Sequence, residues 1–352
     1  MQRLKYLDIT KGILILMVVF HHIPQVSAKL LFIKSTPLAM MDDWNWLYST
    51  FFMPSFFIIT GYCSNFKANI KEFIWKSFKT LILSGVTLSI ISSFIDSTLN
   101  FSFVYTIDLK RVIGCFLFYG TSYWFLTALF LDKVIYFIMG KLHIHDSIKG
   151  IISLSLMFLA VTIYPTIDED DRNNYWYYCH ALFFLFFIFC GDFLRNHRIL
   201  DRKLLYFGLL YVPMASVFCF IKYHPPIVTH QIGLQSYLEI PLCVLFAISG
   251  TLLIIQLAKW VIVLFRNTSF IDYVGKVSLI IYTIHIAVLR NIEKYVNRCG
   301  FSLDDFCGTL LFVTITMFLS MIIILGVAKI LDTPYLKWTI GKWSFNTKSE
   351  LA

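Results

Sequence analysis

The sequence predicts an all-α fold: a polytopic bundle of about ten transmembrane helices with both termini cytoplasmic. Three observations carry this. Hydrophobic residues make up 58% of the 352 positions and charged residues only 14%, against roughly 45–50% and about 25% in soluble domains. Apolar stretches of helical length recur along the chain. Basic residues sit in short runs between them. This composition excludes a soluble enzyme, a disordered chain and a small disulfide-stapled module. The net charge of +9 reads as the positive-inside bias of a membrane protein, so the bilayer is the expected partner and nucleic acid is not. The eight cysteines show no metal-ligand spacing, and neither a metal site nor a disulfide framework is expected.

A helix crosses a bilayer in about 20 residues. On that measure the spans fall at about 12–33, 47–66, 80–95, 123–140, 149–164, 178–194, 204–221, 236–258, 274–290 and 307–330. The first opens like a secretory signal: Arg3, Lys5 and Lys11 precede apolar Gly12–Phe20, and Val26-Ser27-Ala28 resembles a cleavage site. His21, His22 and Pro24 break that pattern, and an uncleaved span fits better. The loop after the second span carries Lys67, Lys71, Lys76 and Lys79. Residues 103–120 are apolar enough to dip into the membrane without crossing. Asp168–Asp171 form an acidic outer loop, and Arg195, Arg198, Arg202 and Lys203 a basic inner one. Residues 1–335 form one transmembrane domain and 336–352 a short cytoplasmic tail. With both ends inside, the inner segments hold 21 Lys/Arg and 9 Asp/Glu, and the outer segments 9 and 12. Basic loops resist translocation, so this asymmetry sets the orientation.

An ionisable side chain inside a span is costly and usually faces the bundle interior or a wet cavity. His21 and His22 therefore stand out in the first span. Lys11 precedes His22 by eleven positions, about 16 Å along a helix and roughly half the hydrocarbon thickness. Eleven residues are about three turns, so both side chains leave nearly the same face. Burial penalises the charged imidazole, and a neutral histidine can take a proton from an alcohol. Lys11 suits an anionic group such as a phosphate. The alternative is structural: His22 hydrogen-bonds a neighbouring helix and Lys11 marks the membrane edge. His21 points about 100° away from His22, so one of the two is only structural.

Further residues extend the pattern. Tyr6-Leu7-Asp8-Ile9-Thr10-Lys11-Gly12 opens the first span, with ten residues between the lysine and His22. Phe51 to Tyr62 ends in Thr60-Gly61-Tyr62; Tyr123-Trp124-Phe125-Leu126, Gly191-Asp192-Phe193-Leu194-Arg195 and Val274 to His285 follow. As a set these resemble the acyltransferase 3 family, integral-membrane O-acyltransferases, over roughly residues 4 to 330. The resemblance implies transfer of an acyl group, usually acetyl from acetyl-CoA, to a hydroxyl of a cell-envelope glycan or lipid-linked saccharide in the bacterial cytoplasmic membrane. It casts His22 as the catalytic residue and Lys11 as its partner toward the coenzyme, with basic residues after the second span meeting the phosphates. Here that region departs from the family's paired arginines: Lys67 and Lys71 stand four apart. A lysine binds phosphate as a point charge without the bidentate fork. Cofactor binding and inner-surface anchoring both remain open for these two.

Trp124 suits either the membrane interface or the acceptor cavity, and His285 either a packed position or substrate binding. Lys276 could face the bundle cavity, and Glu239 lies near the outer end of the eighth span. The rival function is a transporter or flippase of envelope sugars or lipids, since an intramembrane histidine and lysine also suit proton-coupled transport. The two halves of the chain show no obvious inverted repeat to support it.

Overall fold

Twenty-five residues, Lys5–Lys29, form a single helix, α1, in the computed structural model of the chain. Pro24 lies within it without ending it. The structure describes residues 4–29, 35–99, 124–163, 169–201, 203–220, 239–301 and 303–341, and all regular structure among them is helical. A short helix α2, Thr36–Trp44, follows, capped by the Ser35 side chain, which accepts from the Leu38 N–H. Then come α3 (Trp46–Cys63), α4 (Ile70–Ser77) and α5 (Ser84–Leu99), the last two joined by a π-turn over Phe78–Leu83. The Asn69 side chain caps α4 by accepting from the Lys71 N–H at 3.0 Å. The chain continues through α6 (Trp124–Lys141), α7 (Asp146–Ile163), α8 (Glu169–Asn196), α9 (Tyr211–Phe220), α10 (Glu239–Leu264), α11 (Ser269–Lys276), α12 (Ser278–Arg298) and α13 (Phe306–Leu331).

Helix occupies each of the ten expected spans among the described residues. Six segments are long and apolar enough to cross a membrane, and α11 with α12, bent by 82° at their junction, makes a seventh. The other three fall short for visible reasons. Polar and small residues dilute α3, Asp132, Lys133 and Lys141 charge α6, and the segment Tyr206–Phe220 is short. The acidic run is not all loop, because α8 already begins at Glu169. Residues 103–120 and 168 lie outside the described residues. The start of the expected tail packs into the bundle: Lys337–Ile340 form a 3₁₀ turn, and Thr87 Oγ1 donates to the Thr339 carbonyl at 2.8 Å.

Two helices act as hubs. α1 packs against α3, α10, α11, α12 and α13, while α8 packs against α3, α6 and α7. α3 touches both hubs. Without a hydrophobic driving force between helices in lipid, close crossings rest on small residues that let backbones touch. Each hub has such a crossing. A Cβ built on Gly275 of α11 would collide with the Asp8 carbonyl of α1, and one on Gly12 would collide with the Ile271 carbonyl. Gly61 of α3 meets the Ile188 carbonyl of α8, and Gly191 of α8 meets the Ile58 carbonyl in return. Between the crossings phenylalanine fills the core, as where Phe57 stacks on Phe184 at 4.4 Å.

Replacing Gly275 by Leu forces α1 and α11 apart and should lower stability by at least about 1–3 kcal/mol, the usual cost of overpacking. Gly326→Leu is the control, since nothing lies within 4 Å of a Cβ there. Thermal melts of the two purified variants should separate, with only Gly275→Leu falling well below the parent. Equal melts would mean that the α1–α11 contact is not the tight one.

Candidate functional site

The site is built on α1 where it runs beside α12. His21 and His22 face different neighbours, as the 100° offset requires. His22 Nδ1 lies 3.2 Å from Gln25 Oε1, and Gln25 Nε2 lies 3.1 Å from His21 Nε2. One turn of helix thus ties both rings to a single amide. The amide oxygen accepts the Nδ1–H of His22, which puts that ring's lone pair on Nε2. The amide nitrogen donates to His21. His21 is buried, its ring 5.4 Å from Phe52 and 6.0 Å from Tyr48. His22 is partly buried, with its ring 5.1 Å from that of His285.

His285 sits on α12 and is buried. Its Nδ1 lies 2.7 Å from the Tyr282 carbonyl and 3.1 Å from the Ile281 carbonyl. Carbonyl oxygens only accept, so Nδ1 carries the hydrogen and Nε2 the lone pair. Among the described residues Nε2 has no hydrogen-bond partner. The structure therefore brings together His22 and His285, two residues 263 positions apart.

Trp124 stands further off. A file of rings leads to it from His285 through Tyr282 at 6.1 Å and Phe125 at 5.1 Å. Trp124 itself is buried against His180 and Phe184, with centroids at 4.6 and 5.6 Å. It is a residue packed within the bundle. Toward the C-terminal end of α1, Ser27 Oγ donates to Glu293 Oε2 at 2.6 Å. Glu293 is fully buried, and its Oε1 has no hydrogen-bond partner among the described residues. Beside it Asp96 of α5 pairs with Arg290 and accepts from Asn291 at 2.7 Å.

At the N-terminal end of α1 the charge is positive. Lys11 lies 3.7 Å from Asp8. Lys11, Lys133 of α6 and Arg195 of α8 all lie within electrostatic reach of Cys63 at the end of α3. Lys76 is in turn within reach of Lys133. Arg195 is fixed by Asp192 and by the Ser64 carbonyl, and Asp192 also accepts from the Tyr136 hydroxyl at 2.9 Å. Lys133 Nζ lies 5.3 Å over the Phe73 ring. These cations, with Asp8 and Asp192 among them, form a collar around Cys63 at the end of α3.

Lys67 and Lys71 are exposed and stand outside the set of charges around Cys63. Lys71 instead lines an open apolar groove of about 580 Å³ with Ile70, Ile74, Trp75 and Phe78. Lys276 does not face the cavity: it is exposed and pairs with Asp272 of its own helix at 2.5 Å. Glu239 opens α10, half-buried.

Sequence reasoning passed over Gln25, Lys133, Arg195 and Glu293 as site residues. Gln25 was detectable as the polar residue three and four positions after the two histidines, on a shared helix face. Glu293 follows His285 by eight, again on a shared face. That Lys133, Arg195 and Lys11 all come within electrostatic reach of Cys63 depends on tertiary packing alone.

Residues 4–328 match the acyltransferase 3 family model, described as an acyltransferase domain. No curated protein and no solved structure matches the chain.

The collar has a measurable consequence. A cation a few ångströms away in water is worth on the order of 1 kcal/mol, or about fivefold, on an approaching anion. An anionic aromatic disulfide should therefore label Cys63 faster, relative to a neutral maleimide, in the parent than in Lys133→Ala or Arg195→Ala. The ratio, followed by peptide mass mapping at Cys63, should fall by about two- to fivefold in each variant and shrink in high salt. An unchanged ratio would remove the collar as an anion site.

Proposed function

We propose, from the premise that the chain belongs to the acyltransferase 3 family and is a membrane acyltransferase, that it is an O-acetyltransferase. It moves acetyl from acetyl-CoA to a hydroxyl of a cell-envelope glycan or lipid-linked sugar in the bacterial cytoplasmic membrane. The observation that carries this is the state of His22: partly buried in the bundle, its Nδ1–H held by Gln25, its lone pair left on Nε2. That is the form a general base needs.

The chain adopts ten spans with both termini in the cytoplasm. The collar of Lys11, Lys133 and Arg195 then opens to the cytosol and draws in the coenzyme's phosphates. Lys67 and Lys71, four and eight residues beyond Cys63, meet the outermost phosphate charge. The pantetheine arm runs up α1 toward the histidines. The acceptor hydroxyl approaches His22 Nε2 and loses its proton as its oxygen attacks the thioester carbonyl. The C–S bond breaks, and the proton ends on the thiol. Trp124 and His285 belong to the acceptor side, with Trp124 supporting the aromatic wall from behind Phe125. Substrate and site need no metal in this scheme, because the base and the good thiol leaving group supply the chemistry.

The test is acetyl incorporation into envelope glycan by membranes bearing the parent, His22→Ala and Lys11→Ala chains. His22→Ala should lose at least about 10²-fold in rate, the scale of one general base. Lys11→Ala should act chiefly on the apparent KM for acetyl-CoA. Undiminished O-acetylation in His22→Ala, or none in the parent, overturns the assignment.

A further inference from the structure

We propose that His285 is the proton partner of His22: once His22 takes the acceptor's proton, its new N–H donates to the lone pair on His285 Nε2. This deepens the base role proposed for His22 and rests on it. A histidine that merely fills space needs no particular tautomer, but this one has its tautomer set. Two backbone carbonyls, of Ile281 and Tyr282, hold Nδ1–H at 3.1 and 2.7 Å. That leaves a buried acceptor with no donor among the described residues, an arrangement that folded proteins seldom tolerate without a purpose. Catalysis can bring that donor. His22 is the source that the geometry places beside it, with ring centroids 5.1 Å apart and planes tilted by 38°. With the hydrogen on Nδ1 of each neutral ring, both lone pairs lie on Nε2. Only when His22 is protonated does one become a donor and the other its acceptor.

The proton balance closes. The alcohol O–H breaks and a C–O bond forms to the acetyl carbon, while the proton goes to His22 Nε2. The imidazolium shares that proton with His285 Nε2. The C–S bond breaks, the thiolate takes the proton, and both rings return to neutral. His285 thereby stabilises the charge that develops on the base from the reacting Nε2 side, while Gln25 holds the opposite Nδ1–H, the nitrogen that the third member of a hydrolase triad holds. The two carbonyls on Nδ1–H keep the ring oriented and take up part of the charge. On this account His285 is a positioning residue acting through His22.

The experiment uses isolated membranes holding the full chain and their own acceptor glycan, with labelled acetyl-CoA added. His285→Phe keeps a ring in the packing but offers no lone pair. It should lower the saturating rate by about 10²-fold, with the apparent KM for acetyl-CoA unchanged. His285→Gln, whose amide oxygen can accept but not carry a proton, should fall between the parent and Phe. His285→Ala should be slow, and added imidazole should restore much of its rate, an effect that a purely structural role does not produce. The inference is overturned if Phe keeps the parent's rate, if the loss lies in KM alone, or if imidazole leaves His285→Ala unchanged. His22→Ala, assayed alongside, separates the two ideas. An inactive His22→Ala with an active His285→Phe removes only the partnership; an active His22→Ala removes the base itself.

Discussion

The contact between Gly12 and Gly275 governs where the polar groups along the seam of α1 and α12 lie. With no side chain at either position, the backbones of α1 and α11 touch. The chain bends by 82° just beyond, at the junction with α12. From there α12 runs along α1, so that position 285 comes level with 22 and position 293 with 27. Larger residues at the crossing would hold the two helices apart, and both the ring pair and the Ser27–Glu293 bond would open. The second glycine crossing, between α3 and α8, does the same for the cationic end: it sets Arg195 of α8 on the Ser64 carbonyl beyond α3.

A membrane interior makes these placements expensive to get wrong. A polar atom that cannot reach water has to find its partner within the protein. Most of them do: Gln25 serves two histidines, Asp192 serves Tyr136, Arg195 and Asn196, and Asp96 serves Arg290 and Asn291. Against that background the unmet atoms carry information. His285 Nε2 and Glu293 Oε1 lie on one face of α12 along the seam with α1. Asp132, fully buried on α6 with neither carboxylate oxygen hydrogen-bonded among the described residues, has no part in the proposed chemistry, and neither have the unmet hydroxyls of Ser153, Thr316 and Ser320.

Much of this was visible in the amino-acid order. Apolar length marked out the helices, because a span must satisfy its own backbone. The histidine at position 22 announced itself as a costly group at mid-span. The motif glycines were recognisable as pattern, but their physical purpose, backbone contact at Gly61, Gly191 and Gly275, needed the partner helix to be seen. Pairings across the chain were not legible. Nothing local in Ser278–Arg298 says that its histidine meets another 263 residues earlier, and nothing near Lys133 says that it comes within reach of Cys63. The expectation for Lys276 failed for a local reason, since Asp272 one turn back captured its ammonium group. Six long apolar helices, seven with the bent pair, stand among the described residues against the ten spans expected. A helix such as α3, rich in serine, threonine and aromatic residues, packs inside the bundle between two hubs and does not need a lipid-facing surface.

The central claim is that His22 moves a proton and never carries the acetyl group. Rapid quenching of the purified full chain with labelled acetyl-CoA, with and without acceptor glycan, addresses it directly. The account predicts that free coenzyme A forms only when acceptor is present, with all transferred label on the glycan and none on the protein. Label on His22, or a burst of coenzyme A without acceptor, would contradict it and make the histidine a nucleophile.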